Sequence, residues 1–314
     1  MHRYRGLVAA ALSLFAATAA APALAAAPYR DAGSRSPTDV PRGASTHELR
    51  YDGADRTYRL FVPESLARGR APVVVVLHGG FGTGAGAVRQ GDWDATAERH
   101  GFVEVAPDGL TRSWNAGSCC GPAMRADVDD VGFVLAVLDD VRTQLAIDRK
   151  RVFATGISNG GMMAYRLGCE ASNRFVAIAP VAATVVADPC APDEAVSLLH
   201  IHGLADRNVP FDGGLPTKSF QVDPPSYPPV RAGVESFVHV DGCGADPRVA
   251  RNEVVTTERW RGCDDGTAVT LITIADGGHS WPGGMQMAAI LDPPSDALDA
   301  TATIWRFFAA HPRE

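Results

Sequence analysis

Four short segments carry side chains suited to nucleophilic chemistry. Gly156-Ile157-Ser158-Asn159-Gly160 is a Gly-x-Ser-x-Gly pentapeptide set directly between a strand-like run, Arg151–Thr155, and a helical pattern beginning at Gly161. A serine hydroxyl becomes a useful nucleophile when a sharp strand-to-helix turn exposes it to a base, and glycine two residues to either side lets the backbones approach closely enough for that turn. Ser158 is the expected nucleophile, and the N–H of Asn159, at the helix start, an expected donor to a developing oxyanion. His279, in Gly277-Gly278-His279-Ser280-Trp281-Pro282-Gly283-Gly284, is flanked by glycines that leave it mobile enough to act as base. Asp206 closes His202-Gly203-Leu204-Ala205-Asp206, where a buried acid would hold a histidine in the required tautomer. The fourth segment, His78-Gly79-Gly80-Phe81-Gly82, follows four consecutive valines, and its glycine backbone can approach an oxyanion with no side chain in the way. It lacks the Gly-Lys-Ser/Thr ending of a phosphate-cradling loop.

Ser158, Asp206 and His279 occur in the chain order of α/β-hydrolases, unlike the orders of the chymotrypsin and subtilisin types. The elements that must position them follow from periodicity. Residues 46–51 and 56–62 read as a hairpin around Asp52-Gly53, and Pro72 to Leu77 as a buried parallel strand. Further apolar runs lie at 102–106, 151–155, 175–181, 197–202 and 269–274, alternating with helical patterns at 129–146, 159–170, 230–240 and 296–310. This alternation predicts an α/β fold, a mostly parallel central sheet flanked by helices, in a single catalytic domain over 46–314. Sites in such sheets gather at the C-terminal ends of strands, where all four segments fall. The proline-rich segment 212–230 reads as a long loop and a substrate-facing flap.

The chain has 314 residues, 46% of them hydrophobic, and a net charge of −7. Basic residues at 3 and 5, an alanine-rich apolar stretch and Ala23-Leu24-Ala25 predict a signal peptide over 1–25, followed by a flexible leader over 26–45 and a secreted product. The apolar stretch is too short and small-residue-rich for a membrane anchor. Loss of Arg3 and Arg5 takes the charge from −7 to −9, which argues against a nucleic-acid partner. Lysine occurs only at 150 and 218.

Six cysteines in an exported chain predict disulfides. Cys243 and Cys263, alone between the Asp206 and His279 loops, are expected to pair. Cys119, Cys120, Cys169 and Cys190 leave three connectivities open. His200 and His202 share one strand face and have no evident third metal ligand, so packing and loop hydrogen bonds are expected of both. Asp129 and Asp130 read as helix caps; a calcium set with Asp127 lacks the glycine and distal Glu of a known loop. Trp114 and Trp281 are candidates to flank the acyl pocket, with core packing the alternative.

The set formed by His78-Gly79-Gly80, Ser113-Trp114-Asn115-Ala116-Gly117 with Cys119-Cys120, Val128-Asp129-Asp130-Val131, the Ser158 pentapeptide, His202-Gly203-x-x-Asp206 and Gly278–Gly284 resembles the secreted polyhydroxybutyrate depolymerase-like esterases, relatives of feruloyl and acetylxylan esterases. The resemblance runs over about residues 45–312. It implies a Ser158, Asp206 and His279 triad and an oxyanion hole of Gly80 and Asn159. It implies a carboxylic ester as substrate, a hydroxyalkanoate polymer or oligomer first and a plant cell-wall ester second. No metal, organic cofactor or obligate protein partner is expected. Many extracellular depolymerases add a linker and a polymer-binding module, neither of which is recognised here, so soluble short-chain esters are the expected substrates. Acyl transfer, peptide cleavage and a non-catalytic binding role are the competing readings on the same fold.

Overall fold

The computed structural model describes residues 40–219 and 224–313; the expected signal peptide and the leader as far as residue 39 lie outside them. β1 (Gly43–Tyr51) and β2 (Ala54–Val62) pair from Gly43 with Val62 to Tyr51 with Ala54, leaving the two-residue turn Asp52-Gly53. Both turn residues have positive φ, 45° and 74°, the backbone that matches hairpin twist. The strand thus begins inside the stretch expected as leader, because ladder pairing with β2 continues to Gly43.

β3 (Ala71–Leu77) is buried along its whole length. Val73, Val75 and Leu77 enter one hydrophobic cluster, and Val74 and Val76 enter the other. A strand covered on both faces reads as an unbroken apolar run rather than an alternation, which explains the four valines. β4 (Val103–Pro107), β5 (Ile147–Ile157), β6 (Ala177–Val181), β7 (Ser197–Gly203), β8 (Arg248–Arg251), β9 (Val255–Trp260) and β10 (Val269–Ile274) complete the sheet. The spatial order is β1-β2-β4-β3-β5-β6-β7-β10-β9-β8. The pairings from β4 to β10 are parallel, and antiparallel strands close both edges.

Helices α1 (Gly84–Gly91), α2 (Trp93–His100) and α7 (Ala300–Ala310) bury apolar residues in one cluster. Helices α4 (Asp130–Gln144), α5 (Asn159–Glu170) and α6 (Val230–Val240) bury theirs in the other; the short α3 (Gly121–Arg125) precedes them. α7 starts four residues later than its periodicity suggests, because the Asp299 side chain caps it by accepting the Ala302 N–H at 2.9 Å. Cys243 pairs with Cys263 and Cys169 with Cys190, while Cys119 and Cys120 form a vicinal pair. Successive strands are laid down on opposite sides of β3, so the crevice between the ends of β3 and β5 is the topological switch point.

Candidate active site

Ser158 stands on the turn between β5 and α5 with φ 56° and ψ −125°, a conformation that a non-glycine residue holds only under constraint. The constraint is visible on both sides. Its N–H donates to the Val181 carbonyl at 2.9 Å, and its carbonyl accepts from the Met162 N–H at 2.8 Å. A Cβ on Gly160 would come within 2.3 Å of the Leu77 carbonyl oxygen, and one on Gly156 within 2.6 Å of the same atom. The two glycines of the pentapeptide are needed because the elbow presses against the end of β3.

Asn159 opens α5, so its backbone N–H has no partner inside the helix. Its side chain clamps Trp114, accepting the Trp114 N–H at 2.7 Å and donating to the Trp114 carbonyl at 2.9 Å. The Trp114 indole N–H in turn donates to the His78 carbonyl at 2.9 Å. Trp114 is fully buried and ties the elbow to the glycine turn after β3, a correction to its place as a candidate substrate contact. Trp281 is corrected likewise. It is buried, donates to Thr301 Oγ1 at 2.9 Å, and packs edge-on against Trp93.

His78 is buried beneath the glycine turn. Its Nε2 accepts the Gly109 N–H at 2.9 Å, so Nδ1 carries the proton and donates to the Gly79 carbonyl at 2.7 Å. Burial lowers its pKa and keeps it neutral. In the same turn, the Phe81 N–H donates to the Arg112 carbonyl and the Gly82 N–H to the Gly79 carbonyl. The Gly80 N–H has no such acceptor among the described residues and lies in the wall of the cleft beside Ser158.

Asp206 follows β7 and is buried. One oxygen, Oδ1, accepts the N–H groups of Asn208 and Val209 at 2.8 and 2.9 Å, and Oδ2 meets His279 Nδ1 at 2.8 Å. Burial alone would raise the Asp206 pKa, but the adjoining His279 and these hydrogen bonds outweigh it and hold the carboxyl below its usual range. With Nδ1 committed to Asp206, His279 presents Nε2 to the cleft that it shares with Ser158.

A second carboxylate, not anticipated from sequence, anchors the histidine loop. Asp292 Oδ2 accepts the His279 N–H at 2.9 Å while Oδ1 takes Lys218 Nζ at 2.7 Å. Another buried chain lies behind Asp206. The His202 Nε2–H donates to the Val209 carbonyl at 2.9 Å, the His200 Nε2–H to His202 Nδ1 at 3.0 Å, and the Tyr165 hydroxyl to His200 Nδ1 at 2.8 Å. Burial depresses the pKa of both histidines, so both are neutral packing groups that hold the Asp206 loop. Asp129 caps α4 through the Gly132 N–H at 2.8 Å, but Asp130 does something else. It is buried, pairs with Arg56 at 2.7 Å and accepts the Asn115 N–H at 2.7 Å, fixing the segment that carries Trp114.

The cleft has a volume of about 510 Å³. Phe81, Ile157, Met285, Met287 and Ile290 give it apolar walls; the expected flap adds Ser219 and Tyr227, and the vicinal Cys120 also borders it.

A serine elbow at the switch point of a largely parallel sheet, sharing a cleft with a carboxylate-held histidine, is the arrangement of an α/β-hydrolase. The chain belongs to the esterase PHB depolymerase family, carboxylic ester hydrolases whose family pattern matches residues 56–245. It is 33% identical over 259 residues to the putative esterase NocK of Nocardia uniformis subsp. tsuyamanensis, covering 76% of this chain and 74% of that one. It is 30% identical over 211 residues to the probable feruloyl esterase C of Aspergillus niger, covering 66% of this chain and 64% of that one. Among solved structures, the acetyl xylan esterase from Aspergillus awamori aligns with a TM-score of 0.56 at 15% identity, covering 85% of this chain and 99% of that one, a likeness of fold.

Proposed function

We propose that the protein is a secreted serine esterase working through an acyl-enzyme. Ser158 Oγ attacks the ester carbonyl while His279 Nε2 takes its proton. The Asp206 carboxylate holds the resulting imidazolium, and the N–H groups of Gly80 and Asn159 receive the oxyanion. Collapse of the tetrahedral intermediate expels the alcohol, which takes the proton from His279. Water, activated by the same histidine, then attacks the acyl-Ser158 ester and releases the acid. The carrying observation is the 2.8 Å contact between Asp206 and His279 in a cleft also lined by the elbow serine.

Esters of hydroxyalkanoates, polymeric or oligomeric, are the first substrate class, supported by the family to which the chain belongs. Feruloyl and acetylxylan esters form the second, supported by the names of its relatives and fold neighbours. Secretion is supported by the basic-then-apolar pattern of residues 1–25 and by the Cys169–Cys190 and Cys243–Cys263 pairs, which persist in oxidising compartments.

Ser158→Ala tests the reading. The variant should lose roughly 10⁶-fold of kcat on 4-nitrophenyl butyrate and all fluorophosphonate labelling. Retention of more than a few per cent of activity would remove Ser158 from the mechanism.

A further inference from the structure

The charged lining of the cleft is unbalanced. Besides His279, its charged side chains are Arg89, Arg112 and Asp292, and Asp292 is already matched by Lys218. Neither Arg89 nor Arg112 forms an ion pair among the described residues. Both are exposed to solvent, whereas more deeply buried arginines of this acidic chain carry partners, as Arg56 does with Asp130, Arg59 with Asp94 and Glu104, and Arg166 with Glu170. The cleft therefore concentrates uncompensated positive charge on a protein whose net charge is −7.

Arg112 is also held in place. Its backbone is left-handed at φ 60°, next to Thr111 at φ 55°, and Phe81, whose N–H it accepts, is left-handed at φ 63°. Three non-glycine residues in that region, clustered about the turn that carries Gly80, are strain maintained at a site. The Arg112 Nε–H donates to the Gly82 carbonyl at 3.3 Å, so the guanidinium lies against the glycine turn, and its two terminal nitrogens have no partner among the described residues. Beside it Phe81 is 61% exposed, with Met285 and Ile290 also exposed in the same lining. A planar guanidinium matches a carboxylate with two parallel hydrogen bonds, and the apolar side chains suit an uncharged body attached to it.

We propose that Arg112, with Arg89 in the same wall, forms an anion subsite that selects esters carrying a free carboxylate over uncharged esters of the same size. This rests on the reading of Ser158 as the nucleophile. The subsite takes no part in bond making; it adds binding energy to a substrate whose ester lies at Ser158 and whose carboxylate reaches the guanidinium.

Two substrate pairs test it on the full protein. 4-Butyryloxybenzoate against its methyl ester places the carboxylate on the leaving alcohol, and 4-nitrophenyl hemiglutarate against 4-nitrophenyl pentanoate places it on the acyl part. In at least one pair kcat/KM should favour the carboxylate by about tenfold or more at low salt, with the preference shrinking as ionic strength rises. Arg112→Gln should lower that ratio by about tenfold, Arg112→Lys by less, and Arg89→Gln should lower it independently. Ratios at or below one in both pairs, with the uncharged esters hydrolysed, would overturn the subsite and leave the esterase reading standing. Failure to hydrolyse any of the four esters would overturn both.

Discussion

His279 is held by two carboxylates of different kinds: Asp206 grips its ring at Nδ1, and Asp292 grips its backbone N–H from 2.9 Å. The first contact fixes the tautomer and the second fixes where the ring is hung. Asp292 is itself steadied by Lys218, one of only two lysines in the chain, whose backbone N–H donates to the Arg207 carbonyl at 3.0 Å. The ion pair thus ties the loop after Asp206 to the loop after His279.

Removing that tie should displace the base without removing it. Asp292→Ala is expected to lower kcat by about 10- to 100-fold, the scale of a small misplacement of a reacting group, with KM changed less. Asp292→Asn, which retains an acceptor oxygen, should recover part of the loss. Steady-state kinetics on one chromogenic ester, with circular dichroism to verify folding, separates these outcomes; equal losses in both variants would mean that the carboxylate charge, rather than the bond to the backbone, matters.

Asp206→Asn should fail through its tautomer. The Asn208 and Val209 N–H groups demand an oxygen at the Oδ1 position, so the new amide would turn its NH₂ toward His279 Nδ1. The imidazole would then carry its proton on Nε2 and could not accept one from Ser158. A loss of kcat of about 10³- to 10⁴-fold is expected near neutral pH, with the variant folded and still binding substrate.

Gly160→Ala probes the packing under the elbow. The added methyl would sit within 2.4 Å of two backbone oxygens, those of Leu77 and His78, neither of which can yield without moving β3. A destabilisation of about 2–4 kcal/mol is expected in denaturant unfolding. Gly80→Ala is the contrasting variant, since its Cβ would meet nothing within 4 Å, and it should leave stability within about 0.5 kcal/mol apart from local propensity.

Asp241 should set part of the pH dependence of stability. Burial, helped by the nearby Asp264 and Asp265, pushes its pKa up to about 7. The folded protein therefore holds a proton that the unfolded chain releases near pH 4, and stability falls as pH rises between those values. Asp241→Asn can keep the acceptor for the Val196 N–H and removes the titration. It should match the parent at pH 4 and exceed it at pH 8 by on the order of 4 kcal/mol at most, a difference read by unfolding in urea across that range.

The elbow was legible because its signal is local: a strand, a glycine-bracketed serine and a helix within a few residues. Asp206 and His279 were legible through their order and their glycine-rich settings at strand ends. Asp130 was misread as a cap because its partner, Arg56, lies far back in the chain on β2, and no short-range pattern distinguishes it from Asp129, which does cap. Asp292, Lys218 and Arg112 gave no signal for the same reason; their meaning is created by loops that meet only in three dimensions. α1 went unrecognised because Gly84, Gly86 and Gly91 dilute its periodicity, and the β8–β9 hairpin because most of it is exposed and carries no core-facing stripe.

A centre seated where β3 parts β4 from β5 comes into being late. Gly80 leaves the ribosome long before His279, and each of the parallel pairings between them must close a long crossover, helix-bearing in every case but β6 to β7, before its contacts repay the lost chain entropy. Partly assembled forms therefore expose the open edges of the central sheet before Asp206 and His279 can meet. A chain interrupted after α5 but before β10 holds the Ser158 turn without the segment that carries His279.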